Sequence, residues 1–261
     1  MQLDIFQVDA FSSEVFGGNP AAICPLQAWL PDATLQHIAA ENNLSETAYV
    51  VRNGEVFELR WFTPTVEVDL CGHATLAAAW VLFEQLGENR DILRFATRSG
   101  ELRVRREGAR LAMDFPARQP ELVAVPPGLL QALGLEQIDA LYRTDDYVVV
   151  VEDEAIIAGL NPGFAALAAF DVRGVAVTAP SRHFDFVSRW FGPRVGVNED
   201  PVTGSAHTSL APYWAKRLGK RSLSAEQGGA RKGQLHCEVL DSDRVIISGH
   251  GALYLRGTIF I

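Results

Sequence analysis

Two segments of the chain, residues 67–87 and 199–219, are apolar on almost every helical face. Both are rich in alanine and leucine over about four turns and carry few charges in their first turns. A helix with this pattern is buried on all sides. We therefore expect two central helices that end at Gly87 and Gly219, with a kink at Pro212 in the second.

Shorter apolar runs that alternate with polar residues predict strands between glycine-containing turns. These runs are 56–62, 93–97, 102–106, 111–115, 147–151, 175–178, 184–188, 234–239, 244–248 and 253–261. Three shorter helices are expected at 32–41 with Asp32 as the cap, at 127–133 and at 155–170.

The two central segments also resemble each other. With an offset of 132 residues and no gaps, six of 21 positions are identical, including Glu67 with Glu199 and Gly72 with Gly204. Chance gives about one or two identities at ordinary residue frequencies. We interpret the match as an internal repeat. The alternative is two unrelated alanine-rich helices that share only a stop signal.

A buried helix wrapped by mostly antiparallel strands, twice over, predicts an α+β fold. We expect two similar domains, residues 1–116 and 117–261, each a rolled sheet around one central helix. The final strand is free to pack back on the first domain. The proline-rich stretch 117–127 is the expected linker.

Composition and charge exclude several functions. The 261 residues are 48% apolar and 21% charged, with a net charge of −9, which argues against a nucleic-acid partner because such proteins carry a basic surface. No apolar run is long enough to cross a bilayer, and the strand-like N-terminus does not resemble a signal peptide. Three cysteines, none in a Cys-x-x-Cys motif, indicate a reduced, cytoplasmic location.

The starts of the two central helices carry the candidate chemistry. A helix N-terminus binds anions through its free N–H groups, and glycine lets a ligand approach the backbone closely. Gly72 and Gly204 therefore predict binding positions for a small carboxylate, on either side of one cleft if the halves face each other. Because histidines, cysteines and acids do not cluster at ligand spacings, we expect no metal site. Nucleotide-binding loops and the serine-hydrolase elbow are also absent.

The polar residues near these glycines each allow two interpretations. Asp200 is either a plain N-terminal acid of a helix or a functional group. Glu46 is either a solvated loop carboxylate or a functional acid. His73 and His207 are either structural or catalytic histidines, and Asp200 could hold one of them in a single tautomer. The residues alone leave these alternatives open.

Four blocks of the sequence resemble the signature blocks of the PhzF family of phenazine-biosynthesis-like isomerases. They occur in the family's order and are DAFSSEVFGGNPAAI (9–23), NLSETAYV (43–50), RWFTPTVEVDLCGHATLAAA (60–79) and EDPVTGSAHTSLAPYW (199–214). The family has the diaminopimelate-epimerase-type fold, in which two similar domains each wrap a sheet around a central helix and hold the active site between them. The resemblance thus implies the architecture that the repeat predicts.

The resemblance implies a cofactor-independent isomerase, without a metal, that acts on a small carboxylate. Glu46 matches the carboxylate that moves a proton in the phenazine member. The other matching positions are the helper residues His73, Asp200 and Ser205, and Asn19 resembles an asparagine that binds substrate in the wider fold superfamily. Neither a nucleic acid nor a membrane is implied as a partner, and a homodimer is plausible.

The related amino-acid epimerases use two cysteines as opposed base and acid. Cys71 matches one of these positions, but the other falls on Pro201, which cannot transfer a proton. We therefore expect Glu46 to be the base. Two alternatives stay open: an epimerase or racemase that uses Cys71 with a non-thiol partner, and a ligand-binding protein that has lost turnover.

Overall fold

The computed structural model describes every residue from Met1 to Ile261 and contains eighteen strands and six α-helices. The strands are β1 (Gln2–Ala10), β2 (Asn19–Leu26), β3 (Glu46–Asn53), β4 (Val56–Phe62), β5 (Glu67–Val68), β6 (Ile92–Thr97), β7 (Gly100–Glu107), β8 (Arg110–Pro116), β9 (Glu121–Leu122), β10 (Ala140–Arg143), β11 (Tyr147–Val150), β12 (Val175–Pro180), β13 (Phe186–Gly192), β14 (Val197–Asp200), β15 (Ser222–Gln227), β16 (Gly233–Leu240), β17 (Arg244–Gly249) and β18 (Gly251–Phe260). The helices are α1 (Asp32–Asn42), α2 (Gly72–Glu84), α3 (Leu129–Leu133), α4 (Glu154–Gly159), α5 (Phe164–Leu167) and α6 (Gly204–Leu218). None of these helices combines the length and the apolar character that a membrane span requires.

The chain forms two compact units. The first comprises Met1–Asp114 and Ser248–Ile261, and the second comprises Phe115–Ile247. The C-terminal strand β18 belongs to the first unit, where it pairs antiparallel with β1.

Parallel pairings in the first unit occur on either side of a helix. Strands β1 and β2 are antiparallel, and β2 and β3, which α1 connects, are parallel. Strands β3 and β4 are again antiparallel. Strands β4 and β6 are parallel, and α2 lies between them in the chain. Strands β6, β7 and β8 complete an antiparallel meander.

The second unit repeats this order of pairings. Strands β10 and β11 are antiparallel, β11 and β12 parallel, and β12 and β13 antiparallel. Strands β13 and β15 are parallel, with α6 between them in the chain, and β15 and β16 are antiparallel. In each unit the short strand directly before the central helix, β5 or β14, pairs with the longer strand that precedes it, β4 or β13. The shared topology confirms both the internal repeat and the predicted α+β fold of two similar domains.

The central helices begin at the two glycines that the sequence analysis singled out. Helix α2 starts at Gly72, and ten of its thirteen residues are buried. Helix α6 starts at Gly204 and ends in front of Gly219, which has a left-handed φ of 67°. Gly87 also has a positive φ, of 72°, but it lies three residues beyond the end of α2.

A bidentate ion pair fixes the approach to each central helix. In the first unit, Arg60 on β4 donates from Nε and Nη2 to the two carboxylate oxygens of Glu67, at 2.7 and 2.8 Å. In the second, Arg189 on β13 binds Glu199 in the same way, at 2.7 and 2.8 Å. Glu67 and Glu199 are equivalent in the repeat, so these acids hold the short strand beside its neighbour. Paired donors in a fixed fork give such contacts their geometric specificity.

Helix α6 continues through Pro212, because another donor replaces the one that proline lacks. Proline has no N–H for the carbonyl four residues earlier, which here belongs to Thr208. The N–H of Arg118 donates to this carbonyl at 2.9 Å. The stretch predicted as a linker, 117–127, therefore contacts the central helix of the second unit, and it also contains β9, which pairs with β10.

Two details of the predicted helices are wrong. The expected helix 155–170 is two short helices, α4 and α5, because Asn161-Pro162-Gly163 lies between them and proline disfavours the helical conformation in the residue before it. Asp32 does not cap α1, since it is the first helical residue and follows Pro31 at the cap position. Its carboxylate instead accepts a hydrogen bond from Arg60 at 2.9 Å.

Loop 11–18, between β1 and β2, is held in an uncommon backbone conformation. Phe11, Phe16 and Gly18 all have positive φ values, of 63°, 72° and 59°. A Cβ atom on Gly18 would lie 2.0 Å from the carbonyl oxygen of Ala10. Glycine is therefore needed at this position, directly before the first residue of β2.

We predict that Gly18→Ala destabilises the first unit by about 1–3 kcal/mol more than Gly54→Ala, because the added methyl group must displace backbone atoms. Gly54 is a matched control: its φ is 60°, and no atom lies within 4 Å of its virtual Cβ. Gly54→Ala should destabilise the protein only by the energy of placing alanine in the left-handed conformation, about 1–2 kcal/mol. Urea unfolding of the two variants measures the difference, and equal losses would contradict the steric explanation.

His207 lies in the core of the second unit. Its side chain on α6 is fully buried, and its ring is 5.8 Å from that of Phe186. Nδ1 lies 3.0 Å from the carbonyl oxygen of Thr203, to which it donates when it carries the proton. Nε2 has no hydrogen-bond partner. Burial lowers the pKa of His207 to about 4, so the ring is neutral in the folded protein near pH 7.

We predict that His207 makes the protein less stable in acid. The unfolded chain binds a proton at this residue near pH 6.5, while the folded protein does so only near pH 4, so stability falls as the pH drops through this interval. The loss from this residue should be about 3 kcal/mol at pH 4, since one pKa unit corresponds to about 1.4 kcal/mol. Urea unfolding at pH 7 and at pH 4 measures it.

The comparison variant is His207→Asn, which keeps a donor for the Thr203 carbonyl but does not titrate. It should be less stable than the wild type at pH 7, because it leaves a cavity, yet should lose less stability on acidification. His183→Asn, at an exposed histidine, should follow the wild type. If His207→Asn loses as much stability between pH 7 and pH 4 as the wild type does, other groups cause the loss.

Candidate functional site

Two neighbouring strands bring polar side chains to one edge of the sheet in the first unit. Asn19 is the first residue of β2, and Glu46 is the first residue of β3. The strands are parallel, with Ala21 opposite Glu46, so their starting residues lie close together. Asn19 is fully buried, and the Glu46 side chain is 16% exposed.

The imidazole of His73, the second residue of α2, joins these side chains. Its Nε2 lies 3.0 Å from Oε2 of Glu46. Its Nδ1 lies 3.2 Å from Nδ2 of Asn19 and 3.5 Å from Sγ of Cys71. The His73–Glu46 contact is close but is not aligned as a linear hydrogen bond, and both atoms are buried without another partner. Catalytic hydrogen bonds are often misaligned until a ligand binds.

Burial and the neighbouring charges determine the protonation of this group. Burial alone lowers the pKa of His73, but its polar neighbours, the carboxylate of Glu46 among them, outweigh this effect, and the pKa lies above its ordinary value. Burial raises the pKa of the Cys71 thiol, and the charge of Glu46 raises it further. Cys71 is therefore a thiol near neutral pH, which makes it a weak base.

The fold also forms a cluster of possible metal-ligand atoms, contrary to the expectation from sequence spacing. One donor atom from each of Glu46, Cys71 and His73 lies within 4.8 Å of the others. However, Cys71 and Glu46 approach opposite nitrogens of the His73 ring. The three donors do not converge on one point in this arrangement.

A second group of the predicted residues lies at the start of α6 in the second unit. Asp200 is the last residue of β14, and its Oδ2 accepts a hydrogen bond of 2.6 Å from the hydroxyl of Thr203. The buried side chain of Gln227 accepts from the N–H of Thr203 and donates to the carbonyl of Asp200. These bonds fix the backbone directly before Gly204 and Ser205.

An arginine at this helix start was missed by the sequence analysis. Nη1 of Arg173 donates to the Ser205 hydroxyl at 2.7 Å. Nε and Nη2 of Arg173 bind the buried carboxylate of Asp146, which also accepts from Nε1 of Trp190 at 3.0 Å. Burial lowers the pKa of Arg173, but the hydrogen bonds to Asp146 raise it on balance. The guanidinium is thus a fixed positive charge beside Ser205.

The structure places the predicted residues in two groups. Asn19, Glu46, Gly72 and His73 form one group in the first unit, and Asp200, Gly204 and Ser205 form the other in the second. His207 is held by Thr203 rather than by Asp200, since its Nδ1 faces that carbonyl and its Nε2 has no partner. Neither Arg173 nor Gln227 stands in a motif that would have marked it in the sequence.

Comparison with known proteins agrees with this architecture. Residues 8–257 match the phenazine biosynthesis-like protein family, PhzC-PhzF. An uncharacterized isomerase of Pseudomonas aeruginosa is 67% identical over the full length of both chains. The crystal structure of a PhzF-family protein from Enterococcus faecalis has a TM-score of 0.97 and 47% identity, and covers all of both chains.

A more distant likeness concerns the fold alone. A hydroxyproline epimerase from Agrobacterium vitis, with trans-4-hydroxy-L-proline bound, has a TM-score of 0.60 at 11% identity and covers 99% of this chain and 92% of its own. The fold is therefore shared with epimerases, as the sequence analysis expected. On the family match and the close relatives, this chain is an isomerase of the phenazine biosynthesis-like PhzF family.

Proposed function

We propose that the protein is a cofactor-independent isomerase that moves a proton within a small carboxylate-bearing metabolite, with Glu46 as the group that carries the proton. The observation that supports this most is the contact between the Glu46 carboxylate and the buried imidazole of His73 at the start of α2. A carboxylate at this position can accept a proton from a bound substrate and return it to another atom.

Glu46 is a better base than the nearby thiol. Burial raises the pKa of Cys71, so near neutral pH the sulfur keeps its proton and cannot take another. The Cys71 sulfur also approaches Nδ1 of His73 rather than the side of the ring that faces Glu46. The roles implied by the family resemblance agree with this assignment.

Each helix start, taken by itself, is suited to stabilise a negative charge on a small carboxylate. Removing a proton beside a carboxylate or a double bond builds charge on the neighbouring oxygen, and fixed donors aimed at that charge lower the barrier. Gly72 and Gly204 supply free N–H groups at their helix N-termini. The Ser205 hydroxyl accepts from Arg173, which leaves its own hydrogen available for an anionic ligand. In this proposal Asp200 and Ser205 assist the reaction rather than act as the base.

A second candidate is an amino-acid epimerase or racemase that uses Cys71. It is favoured by the fold shared with a hydroxyproline epimerase and by the position of Cys71 directly before α2. It requires the Cys71 thiol to lose its proton in spite of burial. A ligand-binding protein without turnover is the third alternative.

We predict that Glu46→Gln reduces turnover by at least 10²-fold, because it keeps the size of the side chain but cannot accept the proton; general acid–base catalysis is worth about 10²–10⁴-fold. Small unsaturated and α-amino carboxylates are first screened with the wild-type protein in D₂O, and NMR follows deuterium uptake or isomerisation. Ligand binding by the Glu46→Gln protein should persist.

Two variants provide the controls. Glu55→Gln changes a carboxylate that is 91% exposed and should leave turnover unchanged. Cys71→Ala should reduce turnover by less than about tenfold, since in this proposal the thiol is not the base. Near-full activity of Glu46→Gln together with an inactive Cys71→Ala would replace the proposal with the thiol mechanism. Binding without proton exchange by the wild type would favour the third alternative.

A further inference from the structure

Asn19 contacts the proposed catalytic group from the side opposite to Glu46. Its side chain is fully buried at the start of β2. The amide nitrogen Nδ2 lies 3.2 Å from Nδ1 of His73. The amide oxygen Oδ1 accepts a hydrogen bond from the hydroxyl of Ser45 at 3.4 Å. In this arrangement Ser45 lies on the oxygen side of the amide, and the NH₂ group faces the imidazole.

The backbone in front of Asn19 is held in place by several contacts. Loop 11–18 contains three residues with positive φ values, and the carboxylate of Asp9 accepts a hydrogen bond of 2.8 Å from the N–H of Phe16. The N–H of Phe11 donates to the carbonyl of His250 at 2.7 Å. Uncommon backbone conformations persist only where the surroundings over-determine them, and they are frequent at functional sites.

The donors and acceptors around His73 are consistent with only one neutral form of the ring. The titratable groups that face the ring are Glu46 and Cys71. The Glu46 carboxylate oxygen lies 3.0 Å from Nε2, and an oxygen at this distance is better faced by a proton on that nitrogen than by its lone pair. A neutral imidazole then has an acceptor at Nδ1, which matches the NH₂ group of Asn19. The opposite amide orientation would place a proton on Nδ1 and leave the Nε2 lone pair against the carboxylate.

We propose that Asn19 is a positioning residue that selects the Nε2–H tautomer of His73 and thereby directs the ring's proton toward Glu46. The catalytic consequence of this assignment rests on the proposed function, but the tautomer itself does not. The role differs from the substrate-binding role that the family resemblance implies for this asparagine. It acts through the imidazole and requires no contact with substrate.

The tautomer can be measured without a substrate. Protein labelled with ¹⁵N in its histidines is titrated by NMR, and the His73 signals are assigned by their loss in His73→Gln. In the wild type, the neutral ring should carry its proton on Nε2. A neutral ring protonated on Nδ1 would overturn the proposal.

Asn19→Asp tests the role of the amide directly, because it keeps the shape but replaces the donor with an acceptor. The new carboxylate should stabilise a proton on Nδ1, so the imidazolium should persist to a pH about 1–3 units higher than in the wild type, the usual effect of an adjacent opposite charge. Asn42→Asp is the matched control, because Asn42 donates to Thr47 at 3.0 Å and does not contact His73. An unchanged His73 titration in Asn19→Asp would overturn the proposal.

A milder variant covers the case in which Asn19→Asp does not fold. Ser45→Ala removes the hydroxyl that bonds to the amide oxygen and should let part of the neutral His73 population shift its proton to Nδ1. With a substrate from the D₂O screen, both variants should lower kcat more than they raise KM; a rise in KM alone, with unchanged His73 signals, would indicate substrate binding instead. If the wild-type tautomer is Nε2–H while Glu46→Gln keeps its activity, the proposed function fails and the assignment of Asn19 stands.

Discussion

The burial of helix α2 constrains the rest of the first unit. With ten of its thirteen residues buried, the helix has almost no surface on which polar groups could meet water or a ligand. Its free N–H groups at the N-terminus are the exception, since no intrahelical acceptor exists for them. Polar side chains therefore collect at this end, where Cys71, His73 and Glu46 lie. The position of the candidate site follows from the packing of the helix.

The sheet delivers the other side chains to the same place. Parallel strands start at one edge, so Asn19 and Glu46 are neighbours although 27 residues separate them in the chain. The strand leading into each central helix is fixed by an arginine–glutamate pair, Arg60 with Glu67 and Arg189 with Glu199. These pairs are partly buried and bidentate, and such contacts give geometry more than stability.

The sequence predicted the architecture well because its signal is spread over many residues. The repeat, the apolar central helices and the glycine starts all follow from composition and spacing over twenty residues or more. Local errors occurred where one residue overrides a general preference: Pro162 interrupts the expected helix 155–170, and Pro31 rather than Asp32 holds the cap position of α1.

The candidate site was predictable only through the family resemblance. Glu46 on β3 and His73 on α2 become neighbours through the tertiary fold, which spacing does not encode, so the cluster of ligand atoms with Cys71 was not expected. Arg173 and Gln227 were missed for the same reason, because each acts on the start of α6 from a different part of the second unit.

The two arginine–glutamate ion pairs also explain how the two copies of one motif can differ in their side chains. In both halves the arginine and glutamate shape the backbone before the helix. Both residues precede the glycine at which the helix begins, so neither is part of the helix itself. The side chain in that next position is His73 in one half and Ser205 in the other. A different side chain at this position leaves the arginine–glutamate pair, and with it the backbone in front of the helix, in place. Each half can therefore present its own side chain on the same backbone frame.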